Sequence, residues 1–111
     1  MTRLVPLARL CLAAAGLTFL GAAQATDIDC DPSARPAGTS QAQRLICESA
    51  LFSMGYQRIY ADQQRLLKAG AISEADIAAF RQKRDHCDSA ACLDAVFRAW
   101  RASAAQARPR P

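Results

Sequence analysis

The side chains best suited to chemistry are five cysteines, Cys11, Cys30, Cys47, Cys87 and Cys92, and a lone histidine, His86. Thiols and an imidazole can hold zinc, exchange disulfides or close structural cross-links. Structural zinc sites draw on closely spaced Cys or His pairs, and no Cys-x-x-Cys occurs here. A thioredoxin-like redox site needs that same pair within a βαβ unit. Neither pattern is present, so the sequence points to no metal, no cofactor and a purely structural role for the sulfurs. Paired carboxylates are the other option. A glycosidase needs two of them flanking a saccharide cleft. With Glu48 and Glu74 as the only glutamates in a short chain, the sequence predicts no catalytic residues and no enzyme. It also lacks a Gly-rich phosphate loop, Gly-x-Ser-x-Gly and His-Glu-x-x-His.

Cys11 sits in what reads as an export leader. Arg3 and Arg9 form a basic start, Leu10 to Gly21 is apolar, and Ala23-Gln24-Ala25 is a cleavage site. The run is shorter than the about 20 apolar residues that span a bilayer. Cleavage after Ala25 predicts a mature chain starting at Thr26, with 111 − 25 = 86 residues, exported to the periplasm or beyond and not stably inserted in a membrane. Four cysteines then remain, an even number in a small exported chain, which reads as a disulfide framework.

Four cysteines allow three pairings, and the sequence does not choose uniquely among them. Geometry favours one. In an unbroken helix Cys87 and Cys92 would have Cα atoms ~8.6 Å apart, beyond the about 7 Å a disulfide tolerates. Asp88-Ser89 offers turn and N-cap chemistry that would break the helix there. A Cys87–Cys92 bond then leaves Cys30 with Cys47.

Charge narrows the partners. The chain carries a net +4. Without Arg3 and Arg9 the balance is 12 − 10 = +2, and that surplus is Arg108 and Arg110 in the tail. Residues 26–107 hold ten bases and ten acids. A nucleic-acid binder needs a cationic patch to displace counterions, so no nucleic-acid partner is expected.

The elements that must position these residues are helical. Hydrophobic residues make up 51%, enough for a core, and no period-two strand pattern or internal repeat appears. Pro32, Pro36, Gly38 and three aspartates make 26–38 irregular. Thr39 or Ser40 caps a short helix through Leu45, Ile46 and Cys47. A longer helix starts near Ser49 and runs to Ala69. Phe52, Tyr56, Ile59 and Leu66 lie on its one face, with Tyr60 and Leu67 widening it. Gly55 either weakens it or admits a close neighbour. Gly70 suits the C′ position. Ser73 and Asp76 resemble a capping box ahead of a helix with Ile77, Phe80, Arg84 and Cys87 on one stripe. The second half of that stripe buries little unless the arginine stem packs. After Ser89, Leu93, Val96, Phe97 and Trp100 form the cleanest amphipathic pattern, with fraying from Ala102. The expected fold is all-α, a small antiparallel bundle of three to four helices stapled by two disulfides. Its divisions are a leader over 1–25, an irregular segment over 26–38, a helical domain over 39–104 and a flexible tail over 105–111.

Ordered along the chain, Ile28-Asp29-Cys30, Ile46-Cys47, Phe80-x-x-x-Arg84-Asp85-x-Cys87 and Cys92-Leu93-x-x-x-Phe97 resemble the LprI-like family of bacterial lysozyme inhibitors over about residues 28–101. The turn after Ile46-Cys47 reads Glu48-Ser49-Ala50, without the proline common in that family. The resemblance implies an exported, helical, four-cysteine protein with a protein partner, a lysozyme, blocked by steric occlusion of its cleft. Exposed Arg58, Arg65, Lys68 and Lys83 are candidate donors to catalytic carboxylates, and the sequence leaves the binding face unknown. Arg84 and Asp85 are expected to make separate structural links, Arg84 to Glu48 or Asp76, because adjacent helix positions diverge. His86 is expected at the surface, and Tyr56, Tyr60, Phe97 and Trp100 in the core, with Tyr60 the candidate exception at the edge of its stripe. The alternative is a non-catalytic envelope interaction module with another periplasmic partner, which predicts an apolar exposed stripe on the long helix.

Overall fold

A computed structural model describes residues 26–31, 33 and 39–109. The expected leader with its cleavage site, Cys11, most of 32–38 and Arg110 lie outside the described residues. The fold is all-α: α1 (Gln41–Glu48), α2 (Ala50–Lys68), α3 (Glu74–Asp85) and α4 (Ala90–Ala104), with no strand among the described residues.

Local chemistry sets every boundary. Each helix starts at a serine whose hydroxyl accepts the backbone N–H three residues on: Ser40 from Gln43, Ser49 from Phe52, Ser73 from Asp76 and Ser89 from Cys92. Each such cap contributes about 1 kcal/mol. Ser73 and Asp76 close a reciprocal capping box. Ser49 both ends α1 and caps α2 as a single extended residue, so this chain turns there without a proline. At the end of α2, Gly70 takes φ +76°. Ala71 N–H donates to Leu66 and Gly70 N–H to Leu67, the paired bonds of a Schellman stop. α4 continues to Ala104 and does not fray from Ala102. The alanines that look featureless in sequence are the strongest helix formers.

α1 packs on the other three helices, and α4 packs on α2 and α3 as well. Tyr56 lies between Phe80 (6.2 Å between centroids) and Phe97 (6.0 Å), while Phe52 meets Phe97 edge-on at 5.7 Å and Trp100 meets Phe80 edge-on at 6.2 Å. Tyr56 and Phe97 are buried, whereas Tyr60 and Trp100 are half-buried against the core. Two disulfides staple this bundle, Cys30–Cys47 and Cys87–Cys92, each with Cα atoms 5.4 Å apart. The break between α3 and α4 brings Cys87 and Cys92 within bonding range. Gly55 is no close-approach device: a Cβ there would rest 3.6 Å from the Phe97 ring, an ordinary contact.

One core residue breaks the apolar pattern. The seven-residue gap between Ile59 and Leu66 contains Gln63, 0% exposed, and neither of its amide atoms meets a hydrogen-bond partner. An unsatisfied buried amide costs about 1–3 kcal/mol, and methionine has nearly its shape without the polar atoms. Gln63→Met is therefore expected to raise unfolding stability by about 1 kcal/mol in urea titration. A fall in stability would mean that the amide is hydrogen-bonded in solution.

Candidate functional site

The densest polar constellation gathers around Arg84, on the last turn of α3 and in line with Ile77 and Phe80. Its side chain is only 3% exposed. Three elements supply its partners. Asp85 receives a two-pronged bond, Nε to Oδ1 at 2.8 Å and Nη2 to Oδ2 at 3.0 Å. Nη1 donates to Asp27 Oδ2 at 3.0 Å and to the Tyr56 hydroxyl at 2.8 Å. The Tyr56 hydroxyl in turn donates to Asp27 Oδ1. The guanidinium carbon also sits 5.3 Å from the Tyr56 ring centre, within cation–π range. Asp85 Oδ1 accepts from Ser40 Oγ at 3.5 Å and Gln43 Nε2 at 3.4 Å, which ties α1 to α3.

This corrects the expectation that Arg84 pairs with Glu48 or Asp76 while Asp85 links elsewhere. Asp85 is the last helical residue, so the long guanidinium folds across the helix end and reaches its neighbour. Glu48 is exposed at the end of α1. Asp76 accepts the Ser73 N–H at the opposite end of α3, eight residues or about 12 Å of helix away. The condition attached to the stripe is met, since Arg84 and Cys87 are both 2% exposed.

Asp27 is the residue that sequence reasoning missed. It lies in the N-terminal segment, three residues before the Cys30 tether, with its side chain 22% exposed. Asp29, which stands in the Ile-Asp-Cys element, accepts the Asp31 N–H and joins no other hydrogen bond among the described residues. Arg81 Nε lies 3.4 Å from Asp27 Oδ2, a charge contact without hydrogen-bond alignment. The one sequence signal was the arginine on an apolar stripe, since a buried guanidinium demands carboxylates.

The electrostatics lock every proton in place. Burial alone would raise the Asp27 pKa, but the Tyr56 hydrogen bond and the Arg84 charge outweigh it, so its carboxyl is held below the ordinary 3.8. Burial and the Asp27 hydrogen bond push the Tyr56 phenol up. Burial opposes the Arg84 charge, yet the hydrogen bonds it donates to Asp85 and the charge and hydrogen bonds of Asp27 hold the guanidinium more firmly protonated than usual. Asp27 stays ionised, and Tyr56 and Arg84 stay protonated, across the neutral range. Such a node fastens the N-terminal segment, α2 and α3 together and offers no proton to exchange there.

The remaining candidates are dispersed. His86 caps α3 at the surface, with Nδ1 2.7 Å from the Gln82 carbonyl oxygen. Among the described residues no cluster of three metal-binding side chains forms, and no helix is long and apolar enough to cross a membrane. Arg58, Arg65 and Lys68 are exposed along α2. Lys83 instead edges a groove of about 980 Å³ between α3 and α4, floored by Phe80, Val96, Trp100 and several alanines. The structure therefore separates Lys83 from the other three cations. Compared with family models, curated proteins and solved structures, this chain finds no match.

Proposed function

We propose that this chain is an exported, non-catalytic binding protein of the lysozyme-inhibitor type, released from its leader after Ala25 and acting in the periplasm or outside the cell. It enters a glycosidase cleft as a rigid body and keeps the sugar polymer out. The observation that carries this reading is the convergence of the residues behind the family resemblance. Cys30–Cys47 anchors the segment bearing Asp27, Cys87–Cys92 sets the α3–α4 turn, Arg84-Asp85 forms the polar node, and Leu93 with Phe97 fills the core. Elements spread over the chain thus build one scaffold, as a family pattern requires. Two cross-links in a small domain suit an oxidising compartment. A pre-ordered surface also loses little entropy on docking.

A second reading, an envelope module with a non-lysozyme partner, is favoured by Leu51 and Met54. They are 84% and 61% exposed on the long helix. One measurement separates the two. Oxidised protein at stoichiometric excess over a c-type lysozyme is expected to suppress clearing of a cell-wall suspension. Full lysozyme activity under those conditions would overturn the inhibitor reading and leave the module.

A further inference from the structure

One face of α2 takes no part in the bundle. Leu51, Met54, Arg58, Ala61, Arg65 and Lys68 recur at intervals of three and four, so they share one stripe, and all are exposed. The stripe is about 26 Å long at the standard helical rise. Its N-terminal end holds Leu51 and Met54, the large hydrophobics that stand exposed among the described residues. Its remainder is cationic. α2 contains three bases, Arg58, Arg65 and Lys68, against the single acid Asp62. Asp62 faces Arg65 at 3.1 Å in an exposed pair, the kind that contributes little and yields readily. Arg58 and Lys68 enter none of the ion pairs or hydrogen bonds of the described residues. Arg84, Arg81 and Arg98 are committed to the buried node, to Asp27 and to Asp94, while Arg44, Lys83 and Arg101 stand exposed on α1, α3 and α4. A domain of balanced charge therefore lines up three exposed bases on one helix face, beside an apolar tip.

We propose that this stripe is the docking face and that its occupant is a protein cleft lined by carboxylates and rimmed by apolar side chains. The proposal rests on the inhibitor reading above and names the surface that would carry it. Leu51 and Met54 seat against the apolar rim, where the flexible thioether of methionine adapts to an irregular wall. Arg58 and Arg65 reach the carboxylates, to which a guanidinium can bond two-pronged. Outside α2, residues 26–107 hold seven bases against nine acids, and that slight acidic surplus matters here. It allows approach to an enzyme of net positive charge without bulk repulsion, while the stripe complements the acidic cleft locally. A lipid surface fits less well. An interfacial helix needs apolar residues along its whole length, whereas here they occupy one end and the opposite face of α2 lies in the core.

The test compares wild-type protein with L51S/M54S, R58E and R65E, and with R101E as an equal charge change on exposed α4. Each is assayed for inhibition of a c-type lysozyme and for binding to phosphatidylglycerol vesicles, with thermal midpoints to verify folding. The stripe variants are expected to need at least tenfold more protein for half-inhibition, with R101E equal to wild type. If wild type inhibits and the stripe variants inhibit equally, the face is wrong while the inhibitor reading stands. If wild type does not inhibit, both fall. Loss of vesicle binding in the stripe variants with inhibition unchanged would make the stripe a lipid contact and overturn the proposal.

Discussion

Replacing Cys30 and Cys47 by serine is expected to lower stability by about 4 kcal/mol, roughly twice the loss from the same change at Cys87 and Cys92. Loop closure accounts for part of the difference. The first bond spans a sequence separation of 17 and the second of 5, worth roughly 3 and roughly 2 kcal/mol in the chain-entropy picture. The rest comes from what the first bond tethers. Asp27 lies three residues from Cys30, and its carboxylate meets a buried guanidinium. Freed from Cys47, the segment must hold that position against its own chain entropy. Small domains are stable by only about 5–15 kcal/mol, and short ones sit at the low end. The variant should therefore unfold at modest urea. The coupling can be read directly: in an Asp27→Ala background, opening Cys30–Cys47 should cost visibly less than in wild type. Strict additivity would show that Asp27 keeps its place without the tether.

The second large effect is asymmetric. Asp27→Ala is expected to cost about 3 kcal/mol, because it takes one of two carboxylates from a buried guanidinium, which keeps only Asp85, and deprives the Tyr56 hydroxyl of its acceptor. Arg84→Met should cost about 1 kcal/mol. The acids it leaves behind, Asp27 and Asp85, have side chains 22% and 36% exposed and can turn to water. Methionine meanwhile refills much of the buried stem volume. Added to Asp27→Ala, Arg84→Met should cost less than it does alone, since the guanidinium has already lost its Asp27 partner. Urea midpoints of the two single variants and the double variant decide this. Should Arg84→Met prove the costlier change, packing of the arginine stem outweighs its ion pairs.

The same carboxylate sets an acid limb. Its folded pKa lies below the ordinary 3.8, so the unfolded chain binds the proton more readily. The stabilisation from ionised Asp27 is fully present above the unfolded value. It is lost as pH falls through the depressed folded value, at roughly pH 4 and below. Asp27→Ala should accordingly show a shallower loss of stability over that acid range than wild type.

The helices and their ends were legible because the forces that set them act within one turn. A serine hydroxyl reaches an N–H three residues on, a glycine at positive φ stops a helix, and a 3.6-residue period puts Tyr56, Ile59 and Leu66 on one side. Even the cysteine pairing followed from a local argument, since five residues of unbroken helix cannot close a disulfide and Asp88-Ser89 can bend. Gln63 was hidden because burial is a property of a face and not of a residue type. It lies where the apolar period has its gap, and the fold closed over it.

Local spacing indicated three to four helices, serine starts at Ser49, Ser73 and Ser89, the aromatic stripe and a favoured cysteine pairing. Only the assembled bundle decided that Arg84 pairs with Asp27, 57 residues away, and that α2 turns Leu51, Met54 and its cations outward. The reason is physical. Coulomb attraction and burial depend on distance in space, and ten acids were open candidates until packing brought Asp27 to join Asp85 at the guanidinium.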